Sequence, residues 1–388
     1  MPNITILANL SKILRYVNEN NSKLIHHLHR PKVEILILLR LLFCKIKYGQ
    51  DLKEETQSGE YSSSGANIRN GKIESQLYYY IIKDCFVTPE DLYITNQDEF
   101  VIVQNNFAWL GLMWKIKSKI NTFGDLLNFL TRPIQFLIGT TDEIDTINSQ
   151  KNIIYFSAPG CYNYFHMVLE QLPKLRAVNK IGIENTLVAF KQDMPNFVKD
   201  WVYIINPELP VYKVQNNNKT VKIKNLVCLE YRNFHFRNPT ATLEEIEWIK
   251  QYVPRKVNEA SVNNYYVSRK LVGYRYIINP ELIFENIVLN NIHAVTFEEL
   301  SLMDEINYMT SAKYIIGPHG AGLTSIVFAN NAHLIELTDQ HRNLDFKILC
   351  RALNVDYSRI IVDYDGENYT VRSEHIDEIN KIIENHST

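Results

Sequence analysis

The chain lacks the fingerprints on which several large enzyme classes depend. No G-x-x-x-x-G-K-[ST] is present, which removes a phosphate loop of the nucleotide-hydrolase type. Neither G-x-S-x-G nor H-E-x-x-H occurs, so no nucleophile elbow or zinc-protease helix is on offer. G-x-G-x-x-G is missing as well, which disfavours a dinucleotide-dependent isomerase or dehydrogenase. Five cysteines (Cys44, Cys85, Cys161, Cys228 and Cys350) stand apart without a C-x-x-C. That scatter argues against a disulfide framework or a zinc site and fits a reducing compartment. Charge of one sign is lacking too: 41 Lys and Arg face 43 Asp and Glu, so the overall balance does not favour a nucleic-acid partner. The longest apolar run, VEILILLRLLF from Val33, is too short for a bilayer span and is broken by Glu34 and Arg40. The opening MPNITILANLSK has no secretory-signal pattern, and a cytoplasmic location is expected. The one D-x-D, Asp363-Tyr364-Asp365, runs into Gly366 and reads as a turn, so no metal or other cofactor is expected.

What is present is an ordinary globular composition, 46% apolar and 22% charged, over 388 residues. That length predicts two core-forming domains and an appendage. Residues 1–70 read as a helical extension and polar linker: helices over 4–29 and 32–48, then a small polar stretch containing SGEYSSSGANIRNG. The two helices are basic and suit an anionic membrane surface at its inner face, a partner chain, or the protein's own domains. Residues 71–240 carry strand-like runs at 100–104, 152–156, 186–190, 210–214 and 221–229, with helical segments near 161–177 and 195–204, which predicts a parallel α/β layer. Residues 241–388 repeat strand and helix in short steps after the connecting helix TATLEEIEWIKQYV. They predict a doubly wound sheet whose ligands sit beyond the carboxyl ends of the strands.

The second region is centred on KYIIGPHGAGLTSIVFANNAHLIEL, from Lys313 to Leu337. It reads as strand, glycine-punctuated turn, helix and strand. Gly317, His319, Gly320, Ala321 and Gly322 lead to a helix N-terminus, where unpaired N–H groups and the dipole favour an anion and glycine permits close approach. Glu336, on the next strand, suits the hydroxyls of a ribose. Upstream, Arg269, Lys270, Arg275 and Asn279 follow the strand YYVS; paired guanidiniums suit a diphosphate and would neutralise it without a metal. In the first region, His166 and Glu170 stand at i and i+4, a base with an orienting carboxylate. Tyr162, Asn163 and Tyr164 precede them and suit a sugar-binding surface. Taken singly, the same segments also read as a tight turn, a solvated basic loop and a structural helix contact.

Three motifs in order, NYFHMVLEQLPKL, then YVSRK with Arg275 and Asn279, then IIGPHGAGLTSIVFA with HLIEL, resemble glycosyltransferase family 61 over roughly residues 150–340. The resemblance implies an α/β fold of GT-B type: two Rossmann-like domains facing across a cleft, here with the N-terminal helical extension. It implies a nucleotide-sugar donor on the C-terminal domain, held by Arg269, Lys270, Arg275, Asn279, the 317–322 loop and Glu336, and a glycan acceptor on the N-terminal one. Inversion at the anomeric carbon is implied, with His166 and Glu170 catalytic and His319 as the reserve base. The bacterial surface-polysaccharide branch, capsule included, is the expected setting. Met167 departs from the tryptophan that often follows the histidine. A catalytically silent scaffold that binds a glycan or an assembly partner is the alternative.

Overall fold

The computed structural model describes residues 45–48, 68–74, 77–88, 93–95, 99–102, 125, 129, 138, 144–156, 160–215, 219–229, 239–253, 263–289 and 291–387. The helices expected over 4–29 and most of 32–48 lie outside these residues. Where the second of them was expected to end, Lys45–Tyr48 is instead a strand, and Ile68–Glu74, at the end of the expected linker, is another.

Two compact units divide the chain: residues 1–159, 175–193 and 210–231 form one, residues 160–174, 194–209 and 232–388 the other. Segments 160–174 and 194–209 thus belong with the second unit although they precede residue 240 in sequence.

The first unit carries a ten-stranded sheet. Its strands are β1 (Lys45–Tyr48), β2 (Ile68–Glu74), β3 (Leu77–Val87), β4 (Tyr93–Thr95), β5 (Glu99–Ile102), β6 (Ile144–Ile147), β7 (Asn152–Phe156), β8 (Thr186–Lys191), β9 (Val211–Val214) and β10 (Thr220–Leu229). The order is β1-β5-β4-β3-β10-β7-β8-β9, with β2 on β3 and β6 on β10. From β10 to β9 the pairing is parallel, as expected, but β3 pairs antiparallel with β2, β4 and β10. The expected parallel layer is therefore half of a mixed sheet, since a strand linked by short turns, as β2 to β3, has to reverse. Ile82, Ile153, Tyr155, Val221 and Ile223 lie in its core.

The second unit holds a five-stranded, all-parallel sheet: β11 (Asn263–Val267), β12 (Ile292–Val295), β13 (Ala312–Pro318), β14 (His333–Thr338) and β15 (Asp356–Ile361). Its order is β12-β11-β13-β14-β15. Counted from the first strand this is 2-1-3-4-5, the doubly wound order whose direction of winding reverses between the first and third strands. Every residue of β14 is buried, as befits a central parallel strand covered on both faces. The helices are α1 (Asn196–Ile205), α2 (Pro239–Lys250), α3 (Glu281–Asn286), α4 (Leu302–Thr310), α5 (Asp345–Leu353) and α6 (Ser373–Ser387). In α1, Val198, Trp201, Val202 and Ile205 are buried at helical spacing. Ser301 caps α4, accepting from Asp304 N at 3.2 Å. A hairpin of Asp363–Tyr364 with Tyr369–Thr370 encloses Asp365 and Gly366, so the D-x-D expected as a turn is two strand residues with only Asp365 in the turn. Among the described residues no helix is long and apolar enough to cross a membrane.

Candidate active site

The reversal point of the five-stranded sheet is where the sequence motifs meet. Strands β11 and β13 are neighbours, with Tyr266 opposite Ile316, so their carboxyl ends deliver Ser268-Arg269 and Pro318-His319-Gly320 side by side. A small pocket there is lined by Ser268, Arg269, Glu298, Pro318, Gly320 and Gly322.

Arg269 is the unusual member. It is only 6% exposed, and among the described residues it has no carboxylate paired with it; its Nε is buried without a hydrogen-bond partner. Burial, then the nearby Arg275 charge, lowers its pKa from the ordinary arginine value. A guanidinium stays charged in proteins; the Glu298 carboxylate and the Tyr274 hydroxyl favour that charge, while the buried Nε without a partner leaves a donor that an anion can take. Arg275 reaches the same place from a left-handed backbone position, φ 54°, held by its N–H donating to Glu367 O at 2.8 Å. Between the two lies Tyr274, whose ring centroid is 5.4 Å from the Arg269 guanidinium and 4.8 Å from that of Arg275. Lys270 is exposed beside them. Asn279 is placed otherwise: its amide donates to Val371 O at 2.7 Å and accepts from Val371 N at 3.1 Å, which engages both its polar ends in the backbone.

The glycines serve close packing rather than an unusual backbone angle; none of the three has a left-handed φ. A Cβ on Gly317 would stand 3.1 Å from Val267, and one on Gly322 3.3 Å from Phe297. On Gly320 it would lie 1.6 Å from Arg269 Nη1. The guanidinium thus occupies the space that a side chain at 320 would need. Ala321–Phe328 follow as a 3-10 helix whose opening N–H groups lack intrahelical partners.

His319 is nearly buried, and its Nδ1 lies 2.5 Å from Glu336 Oε1. Glu336 is fully buried, and its other oxygen accepts from the Tyr357 hydroxyl. Both oxygens of the carboxylate expected on a ribose are therefore engaged in holding His319 and Tyr357. Burial, then the Glu336 charge, raises the pKa of that tyrosine far above its usual range.

The upstream helix stands in the same unit. Asn163 caps its start, accepting from Phe165 N at 3.0 Å, and the hydrogen-bond pattern widens to a π-turn over Met167–Gln171. His166 Nδ1 is 3.0 Å from Glu170 Oε2, with the imidazole 21% exposed and the carboxylate 5%. Two phenylalanines join this pair to the other. Phe165 meets His166 edge-on at 5.4 Å, Phe346 meets Phe165 at 5.7 Å, and His319 meets Phe346 at 5.5 Å. Of the aromatic residues before the helix, Tyr162 is exposed whereas Tyr164 is buried, edge-on to Phe197. Met167 is fully buried.

Residues 164–335 match the family model described as Glycosyltransferase 61. Over this stretch the chain is similar to that family. The matched stretch opens at the histidine helix and closes on β14, near the 150–340 delimited by the motifs. No curated protein matches the chain. Within the matched stretch the geometry adds residues that spacing did not single out: Tyr274, whose place between two arginines was visible in the S-R-K-x4-R run, and Glu298. Beyond it, Phe346 and Tyr357 had no signal, since a contact across a sheet or between helices leaves no local pattern.

Proposed function

We propose that the protein is an inverting glycosyltransferase of GT-B type that moves a sugar from a nucleotide-sugar to a glycan acceptor in bacterial capsule or other surface-polysaccharide synthesis, on the cytoplasmic side. The observation that carries the donor half of this reading is Arg269: a buried guanidinium whose Nε has no hydrogen-bond partner, at the reversal point of a parallel sheet, over a glycine that makes room for it. The diphosphate of the donor lies against Arg269 and Arg275 and the N–H groups of Gly320, Ala321 and Gly322, and these cations take up its charge as it leaves. His319, in the same loop, is held by Glu336 through Nδ1, which leaves Nε2 for the donor.

The acceptor hydroxyl is activated by His166. Its Nδ1 is turned to Glu170, which stabilises the imidazolium formed on proton uptake and leaves Nε2 to accept the proton. The hydroxyl oxygen attacks the anomeric carbon as the bond to the diphosphate breaks, and one such displacement inverts the configuration. Exposed Tyr162 offers a face for the acceptor sugar.

Calorimetric titration with a panel of nucleoside diphosphates, followed by NMR of the anomeric proton in product made from the donor that binds, tests the reading. Binding of one diphosphate and an inverted product are expected. Absence of binding by every member of the panel would overturn it.

A further inference from the structure

The far end of the same sheet carries three side chains that the transfer reaction does not use. His333 and Asp356 are the first residues of β14 and β15 and face each other in register, while His386 comes from α6. One ligating atom from each lies within 4.8 Å of the others. These positions are at the amino ends of the strands, whereas Arg269 and Gly320 are at the carboxyl ends.

We propose that His333, Asp356 and His386 form a binding site for a divalent transition-metal ion of the zinc type, which ties α6 to the amino edge of the sheet. Two imidazoles and one carboxylate, with water in a fourth position, are a ligand set that such ions accept. The arrangement of the ring nitrogens favours it. His386 Nδ1 lies 2.8 Å from the Ile382 carbonyl, which only accepts, so Nδ1 carries the proton and Nε2 keeps its lone pair. His333 is 4% exposed and uses Nε2 toward Ser358 Oγ at 2.9 Å, while its buried Nδ1 has no hydrogen-bond partner. The two rings are 4.3 Å apart, and Tyr314 stacks on His333. Ligand atoms at zinc–nitrogen distance in a tetrahedron stand about 3.3 Å apart. The required closure of the site falls on Asp356 and His386, both exposed, with His333 as the fixed point.

The test uses full-length protein with any affinity tag removed, stripped with a chelator and titrated with Zn²⁺ by calorimetry and by thermal unfolding. One Zn²⁺ per chain and a raised melting temperature are expected. His386→Ala and Asp356→Asn change exposed side chains and should each weaken Zn²⁺ binding by more than about 100-fold, beyond the loss typical of an outer partner, and abolish the thermal shift. Wild-type protein that binds no Zn²⁺, or variants that both bind it as wild type does, would overturn the proposal.

Discussion

At the scale of single residues, the pairing of Gly320 with Arg269 makes the most specific claim. Gly320 has φ 175°, an extended backbone open to any residue, so an alanine there brings no backbone strain. What it meets is the Arg269 guanidinium, with Cζ at 2.4 Å as well as Nη1 at 1.6 Å. Gly320→Ala should therefore act by displacing Arg269. Both Gly320→Ala and Arg269→Ala are expected to weaken nucleoside diphosphate binding by about 1–3 kcal/mol, the worth of a charge-assisted contact. The double variant should be little worse than either, because both remove one contact. Additive losses in calorimetry would separate the two residues. The pair proposed as catalytic gives a different signature: His166→Ala should cut turnover by about 10²- to 10⁴-fold with diphosphate affinity unchanged. Turnover near wild type would remove His166 from the reaction. The motif residues themselves were legible in the sequence, since arginines after a strand and glycines before a helix are local patterns. The reason for Gly320 was not, because the atom that excludes a side chain there comes from a residue 51 positions away in the chain.

At the scale of elements, periodicity succeeded where one face is apolar and failed where local geometry is mixed. α1 carries Val198, Trp201, Val202 and Ile205 on one face and lies within one residue of its expected bounds. The histidine helix was expected as one segment from 161 to 177, yet it passes through α, π and 3-10 turns, which differ by less than a residue per step and leave no distinct signature over a few residues. Sequence reading placed no strand at Leu77–Val87, whose apolar run LYYYII is followed by Lys83-Asp84 and has no alternation to mark it. α1 also supplies the element-scale prediction. Trp201 is fully buried and stacks on Phe328 of the 3-10 helix, ring centroids 5.6 Å apart and planes 23° from parallel. Trp201→Ala should destabilise the protein by about 3–5 kcal/mol in urea unfolding. A loss below about 1 kcal/mol would mean that this contact does not anchor α1.

At the scale of the whole molecule, the division into units was only partly legible, because an apolar helix face does not say which layer it covers. Segments 160–174 and 194–209 join the second unit through such faces. One buried carboxyl group ties three of these elements and makes stability depend on pH. Glu305 of α4 is 7% exposed, accepts from Ser325 Oγ of the 3-10 helix, and lies beside the Tyr164 hydroxyl of the histidine helix. Burial pushes its pKa up to about 7 from an ordinary 4.5, against the hydrogen bonds that favour ionisation. Between those two values the folded chain holds a proton that the unfolded chain has released, so stability falls as pH rises through the window. The shift corresponds to about 3 kcal/mol lost by pH 8. Glu305→Gln keeps the shape and removes the titration, and the difference in unfolding free energy between variant and wild type cancels every other titrating group. That difference should move by about 3 kcal/mol in favour of the variant from pH 4.5 to pH 8 in denaturant titrations. A difference that stays flat across this range would show that Glu305 is ionised in the folded protein, and burial would then not govern its proton.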